Sequence, residues 1–227
     1  NFRQNANDGT RGQLSLDAGS ANRQAGSNAS LQHRQGKLQL WGSGGARRTG
    51  DYHTPEGAIE NSATQLSNAR AGIGYVGDQF FASGAFTVED GHYGVPFAGN
   101  FHGHHSQEDD GEDEDALFVD LDSQRRVGRF DFGMNNLRSR VIDSFQVTVN
   151  IVDFENNEIE IDDGLESLHT TLANRSYIGR AEFTQQTTSR LDGKFGIWAQ
   201  LREFTAAGEE ALAPPTDQTS LAAFAYE

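Results

Sequence analysis

The sequence has no cysteine, a single methionine, four prolines and no apolar run approaching the length of a membrane helix. Without cysteine there are no disulfides and no thiol chemistry, although the compartment stays open. A bilayer-crossing helix needs about 20 consecutive apolar residues, so none is expected. Hydrophobic residues reach only 35% of the 227, below the roughly 45–50% usual for a soluble domain. Basic residues are also scarce. Lys and Arg total 18 against 33 Asp and Glu, a formal charge of −15. That balance argues against a nucleic-acid partner, which would require a basic face. It suits a surface that attracts cations or keeps its loops solvated. No secretory leader opens the chain, and Asn1 stands where an initiator Met would, so an excerpt of a longer protein or a processed product is expected.

A chain this polar invites a reading as disordered. Against that stand 26 Gly, 15 Phe, 5 Tyr and 2 Trp, with the aromatics set in segments of regular alternation. Period-two reading predicts about ten strands. They cover Gly12 to Ala21, Gln24 to Arg34, Lys37 to Gly45, Ser67 to Val76, Gln79 to Glu89, Leu117 to Met134, a segment holding Phe145 to Ile151, Thr171 to Phe183, Leu191 to Leu201, and Thr219 to Tyr226. In the clearest, Phe195, Ile197, Ala199 and Leu201 face one way and Lys194, Trp198, Gln200 and Arg202 the other. Between Leu121 and Phe130 the apolar phase shifts by one residue, which predicts a β-bulge.

Low hydropathy with strong alternation is explained if one strand face meets lipid and the other a polar lumen, since only half the residues then need be apolar. The connections support this. Short ones (34–36, 77–78, 135–143, 187–193) alternate with long ones (49–64, 90–116, 153–169, 205–218), as expected of tight periplasmic turns and long extracellular loops. The expected fold is therefore all-β, an antiparallel up-and-down transmembrane β-barrel. It would be partial, about ten strands of a larger barrel, with residues 1–227 as one barrel domain. A soluble sandwich or solenoid is the alternative, and no fixed-period repeat supports a solenoid.

Several ordered stretches carry a family resemblance. Asp51-Tyr52-His53-Thr54-Pro55 precedes Gly72-Ile73-Gly74-Tyr75-Val76-Gly77-Asp78, which leads into Phe80-Phe81-Ala82-Ser83. His92-Tyr93-Gly94-Val95-Pro96 and the later Glu209-Glu210-Ala211-Leu212-Ala213-Pro214-Pro215-Thr216 follow in sequence. In this order the chain resembles the early barrel of TonB-dependent outer-membrane receptors, in their zinc-receptor-like branch. The resemblance implies a bacterial outer-membrane location, with outer-membrane lipid and the TonB complex as partners, and active import of a scarce nutrient. It also implies a preceding plug domain and a barrel of roughly 22 strands. No plug or TonB-contacting segment is recognisable in this chain.

The segment from Asp90 to Asp115 is the candidate site. It holds His92, His102, His104 and His105, followed by Glu108, Asp109 and Asp110 and further carboxylates. Imidazole and carboxylate are ligands that Zn²⁺ accepts, and imidazole also suits Cu²⁺ and Ni²⁺. The expected ligand is a divalent metal such as zinc, or a metal chelate, carried as cargo; no resident cofactor is implied. A purely solvating acidic loop is the rival reading. Arg125, Arg126 and Arg129 with Asp120 and Asp122 are expected to form lumen-facing pairs, with an anionic-substrate site as the alternative. Trp41, Tyr75, Phe204 and Tyr226, near strand ends, fit an aromatic girdle. Glu158 and Glu160 fall in a loop-like stretch with nothing beside them to suggest glycosidase chemistry. No catalytic residues are expected: there is no Gly-x-Ser-x-Gly elbow, phosphate loop or nucleophile–base set. Two rival functions remain open, a passive porin or adhesin-like barrel and a secreted soluble β-protein binding calcium.

Overall fold

Ten long strands form one antiparallel sheet whose spatial order follows the chain. The computed structural model describes residues 8–96, 118–137, 139–162, 165–186, 192–208, 211 and 213–226. The strands are β1 (Gly9–Gly19), β2 (Gln24–Gln35), β3 (Leu38–Thr49), two short ones, β4 (Tyr52–Thr54) and β5 (Gly57–Ile59), then β6 (Thr64–Val76), β7 (Phe80–Val95), β8 (Phe118–Met134), β9 (Ile142–Asp162), β10 (Leu165–Gln185), β11 (Lys194–Gly208) and β12 (Thr216–Tyr226). All except the β4–β5 hairpin join the large sheet. Ten is the number that alternation predicts, and most boundaries fall within a few residues of the expected ones.

Hairpin connectivity gives the sheet two unlike ends. At the turn end the chain reverses tightly from β2 to β3 and from β6 to β7. Gly36 there takes φ +57°, a left-handed conformation that costs glycine little. Lys37 Nζ donates to Asp78 Oδ2 at 2.7 Å across neighbouring turns, and this bond raises the ammonium above its ordinary pKa. At the loop end the 50–63 connection is folded rather than loose. Asp51 Oδ1 accepts from the Ser62 and Ala63 amides at 3.0 and 3.1 Å. Asn61 Nδ2 donates to the Val119 carbonyl at 2.8 Å, laying this connection against the end of β8. The segment 153–169, expected as a long loop, is strand instead: β9 runs to Asp162 and β10 restarts at Leu165. Glu158 and Glu160 are accordingly ladder residues.

Cross-strand register sorts the side chains into two faces. One row on the first face runs Tyr75–Ala82–Phe132–Val147–Ala181–Ile197–Ala223, and the next Phe80–Met134–Phe145–Phe183–Phe195–Ala225. The opposite face carries Gln39, Ser43, Arg70, Arg129, Asp131, Gln146, Glu182 and Lys194 at corresponding levels. The apolar face is not packed against anything: Leu16 is 74% exposed, Phe130 56%, Ile197 55% and Leu221 77%. Among the described residues Val119 is the one buried hydrophobic side chain. A water-soluble sandwich would enclose this face in a core.

The predicted bulge in β8 is absent. Pairing with β7 and β9 runs without a register break along the strand, so Val119 and Leu121 lie on the polar face and Phe130 and Phe132 on the apolar one. The phase change is a change of surroundings. On the apolar face Gly128 and Phe130 give way at Arg126, in a row continuing Asp153–Arg175–Glu203–Asp217. From that level outward both faces meet water, and the face that was greasy becomes charged. From Phe195 to Glu203 is about 27 Å of strand at ~3.4 Å per residue, or about 21 Å when tilted near 40°, close to the ~25 Å belt of a membrane barrel.

Candidate functional site

The polar face of the sheet carries hydrogen-bonding and charged side chains, since every second residue of each strand lands there. Several of its charged groups are paired in place. Arg129 Nε and Nη2 donate to the two Asp131 carboxylate oxygens at 2.7 and 2.8 Å, and Thr148 Oγ1 donates to Asp131 Oδ1 at 2.7 Å. Glu182 accepts from Arg180 Nη2 at 2.7 Å and Lys194 Nζ at 3.1 Å. These clusters flank a hollow of about 490 Å³ near the turn end, with Arg70, Ser83, Gln146 and Thr184 also on its wall. Its size falls in the range of small-molecule sites. Bidentate guanidinium–carboxylate pairs hold both partners in one orientation, giving the wall fixed rather than wandering charges.

The expected Arg–Asp grouping is corrected by the register. Arg125 and Arg129 do lie on the polar face, but their partners are Glu89, at 2.9 Å, and Asp131. Arg126, Asp120 and Asp122 belong to the opposite face, because residues of even number on β8 all share it. The aromatic expectation also changes. Trp41 pairs with Gly72, Phe204 with Asn174, and Tyr226 with Lys194, all on the polar face; Tyr75 alone of the four is on the apolar face. The girdle is instead a phenylalanine row near the turn end. Ring centroids are 5.8 Å apart for Phe132 and Phe145, 6.2 Å for Phe145 and Phe183, and 5.3 Å for Phe183 and Phe195. Tyr75 stacks on Phe80 at 5.0 Å beside it. Proximity to a strand end was a poor guide, because residue parity decides the face.

Of the candidate metal ligands, His92 lies among the described residues; His102, His104, His105, Glu108, Asp109 and Asp110 lie outside them. His92 sits at the loop end, on the continuation of the apolar face beyond its charged row. Its Nδ1 is 2.6 Å from Asp122 Oδ1 and its Nε2 3.4 Å from Asp120 Oδ2. Carboxylates therefore face both ring nitrogens, and His92 has to release one of them before it can ligate a metal. Among the described residues no group of three His, Asp or Glu is arranged to hold a metal ion. His33 and His53 bond to Thr10 Oγ1 and the Asp51 carbonyl, and His169 lies 3.3 Å from Glu160.

No family model matches the chain, and no curated protein matches it at a significant level. Among solved structures it is similar to BauA, the ferric preacinetobactin receptor from Acinetobacter baumannii. The TM-score is 0.59 at 8% identity, over 94% of this chain and 40% of that one. FyuA, the ferric yersiniabactin uptake receptor from Yersinia pestis, aligns with a TM-score of 0.43 at 10% identity, over 95% of this chain and 37% of that one. That second likeness is too loose to argue from. The first is a match of fold, to an outer-membrane β-barrel receptor.

The chain is part of a transmembrane β-barrel. Its apolar face is the lipid-facing wall, its polar face lines the lumen, and the chain spans about two fifths of the length of the receptor it matches. The Arg126–Asp153–Arg175–Glu203–Asp217 row marks one membrane surface and the phenylalanine row lies towards the other.

Proposed function

We propose that the chain forms the early barrel wall of an outer-membrane import receptor of the TonB-dependent kind, carrying a scarce nutrient inward. The observation that supports this best is the inversion of face polarity at Arg126, which fits a wall with lipid on one side and a polar passage on the other. Paired charges and a 490 Å³ hollow on the inner side suit a passage that handles polar solute. The cargo we propose is a divalent metal such as zinc, or a metal chelate, first captured by the segment from Asp90 to Asp115. His92, at the base of that segment, already sits against two carboxylates. Coupling to the TonB complex would run through parts of the receptor other than this wall.

Membrane placement is testable because the chain has no native cysteine. Single cysteines replacing Phe130 and Ile197 in the full-length protein should be shielded from a water-soluble maleimide in intact outer membranes. Those replacing Asp131 and Trp198 should react through the lumen. Equal reactivity of both sets would overturn the wall assignment. For cargo, zinc uptake by zinc-starved host cells should fall when the gene is deleted and return with the wild-type copy. It should not return when His92, His102, His104 and His105 are all Ala. Uptake that persists after dissipation of the proton-motive force would favour a passive pore.

A further inference from the structure

The lipid-facing wall is not smooth. On β7 the apolar face carries Phe80, Ala82, Gly84 and Phe86 in turn, so two small residues lie between two rings. The flanking strands set large side chains beside the small ones. Tyr75 and Phe132 pair with Ala82, and Ile73 and Phe130 with Gly84. The result is a hollow of about 540 Å³, floored by Ala82 and Gly84 and with those four side chains on its walls. It opens outward, Ile73 being 55% exposed and Phe130 56%. β6, β7 and β8 are inner strands of the sheet, flanked by β3 and β9.

Width and depth decide what fits. The wall strands β6 and β8 are two strand spacings apart, about 9.6 Å at ~4.8 Å each, and the bulk of their side chains narrows the gap further. A helix of a partner protein, about 10–12 Å across, is too wide to enter; a single file of methylenes is not. From Phe80 to Phe86 is about 20 Å at ~3.4 Å per residue, or about 16 Å of depth when tilted near 40°. The middle of a ~25 Å belt lies about 12 Å in, so the trough has the reach of one leaflet's acyl chains.

Inside a bilayer water exclusion gives no drive, because lipid tails are as apolar as the wall. Contact does discriminate. Atoms lining an unfilled hollow forfeit dispersion partners, and a flexible chain laid in it restores them. Gly84 leaves the room for that chain: a Cβ there would sit 3.6 Å from the Phe130 ring, an ordinary contact, and a larger side chain would occupy the trough itself. We propose that the β6–β8 trough seats one phospholipid acyl chain from the leaflet at the turn end, held by shape rather than by charge. The proposal rests on the lipid-facing assignment of this wall.

The test uses the full-length protein in phosphatidylcholine vesicles carrying a trace of the same lipid with a diazirine midway along one chain. Ile73, in the trough, and Ile197, outside it on the same face, are both 55% exposed, so random contact should label them alike. Photolabelling read residue by residue by mass spectrometry should favour Ile73 over Ile197 about fivefold. Gly84→Leu should equalise the two. Ala82→Leu should do the same, and decides the matter if Gly84→Leu does not fold by heat-modifiable migration. Gly179→Leu, in the same register row but in open space, should leave the wild-type preference unchanged. Equal labelling in the wild type would overturn the seat, as would a preference that survives filling the floor. So would labelling weaker at Ile73 than at Ile197, the sign of a second copy or another protein covering the trough. Adducts spread evenly over the apolar face alone remove the trough and leave the wall, whereas adducts at lumenal Gln39 and Trp198 as frequent as at Ile197 remove both.

Discussion

Ala199→Arg puts the two-sided wall under the sharpest strain. Ala199 is exposed on the apolar face of β11, in a row with Gly179 and Leu221, midway along the Phe195–Leu201 stretch. Little apolar surface is lost on replacing a methyl group, so the new charge dominates. In water an arginine on an exposed strand surface would cost almost nothing. At the middle of a bilayer it costs about 2–4 kcal/mol, falling to about 0–1 kcal/mol near the interface. At about 1.4 kcal/mol per decade, that lowers the folding constant about 30-fold to about 700-fold. Leu201→Arg, two residues from native Glu203, should lose far less, and Gln200→Arg, facing the lumen, should stay within about 0.5 kcal/mol. Urea titration of the full-length protein in lipid vesicles, followed by heat-modifiable gel migration, measures all three. Ala199→Arg as stable as Gln200→Arg would refute the two-sided wall, because the two faces would then share one solvent.

Three further outcomes are expected. Arg129→Ala strips two donors from Asp131, whose side chain is 11% exposed, leaving Thr148 and Gln146; the loss should be about 1–3 kcal/mol by urea unfolding, and Asp131→Asn should cost less. A Cβ at Gly72 would collide with the Trp41 ring and crowd the Gly84 carbonyl, so Gly72→Ala should cost about 1–3 kcal/mol as overpacking does, read by urea unfolding. Zinc binding by the full-length receptor needs neutral imidazoles, so calorimetric titration should show it weakening below about pH 6; binding unchanged at pH 5 would remove histidine from the capture step.

Strand number, direction and face were legible in the sequence wherever one side of the strand meets lipid throughout. Phe195, Ile197, Ala199 and Leu201 could be placed from parity alone, and the register puts them in the expected row. Closeness to a strand end suggests a girdle role for Trp41, Phe204 and Tyr226, but residue parity puts all three on the polar face. The arginine partners were illegible for a different reason. Glu89 is 36 residues from Arg125, and nothing local couples them until antiparallel pairing of β7 with β8 puts them side by side.

The missing bulge and the missing loop share one cause. Period-two reading assumes that the solvent on each face stays the same along a strand, and in β8 and β9 it does not. On β8 the apolar parity runs through Phe132 and Phe130, then meets Arg126 and Gln124, while buried Val119 takes up the opposite parity. On β9 the ladder continues through Glu155, Asn157, Glu158 and Glu160 with no lipid to demand apolar partners, so composition alone makes it look like loop. A strand leaving a membrane loses its pattern before it loses its hydrogen bonds. The residue at which the pattern breaks while the pairing continues therefore locates the membrane surface. Arg126, Asp153, Arg175, Glu203 and Asp217 mark that break on five consecutive strands, at one level of the register.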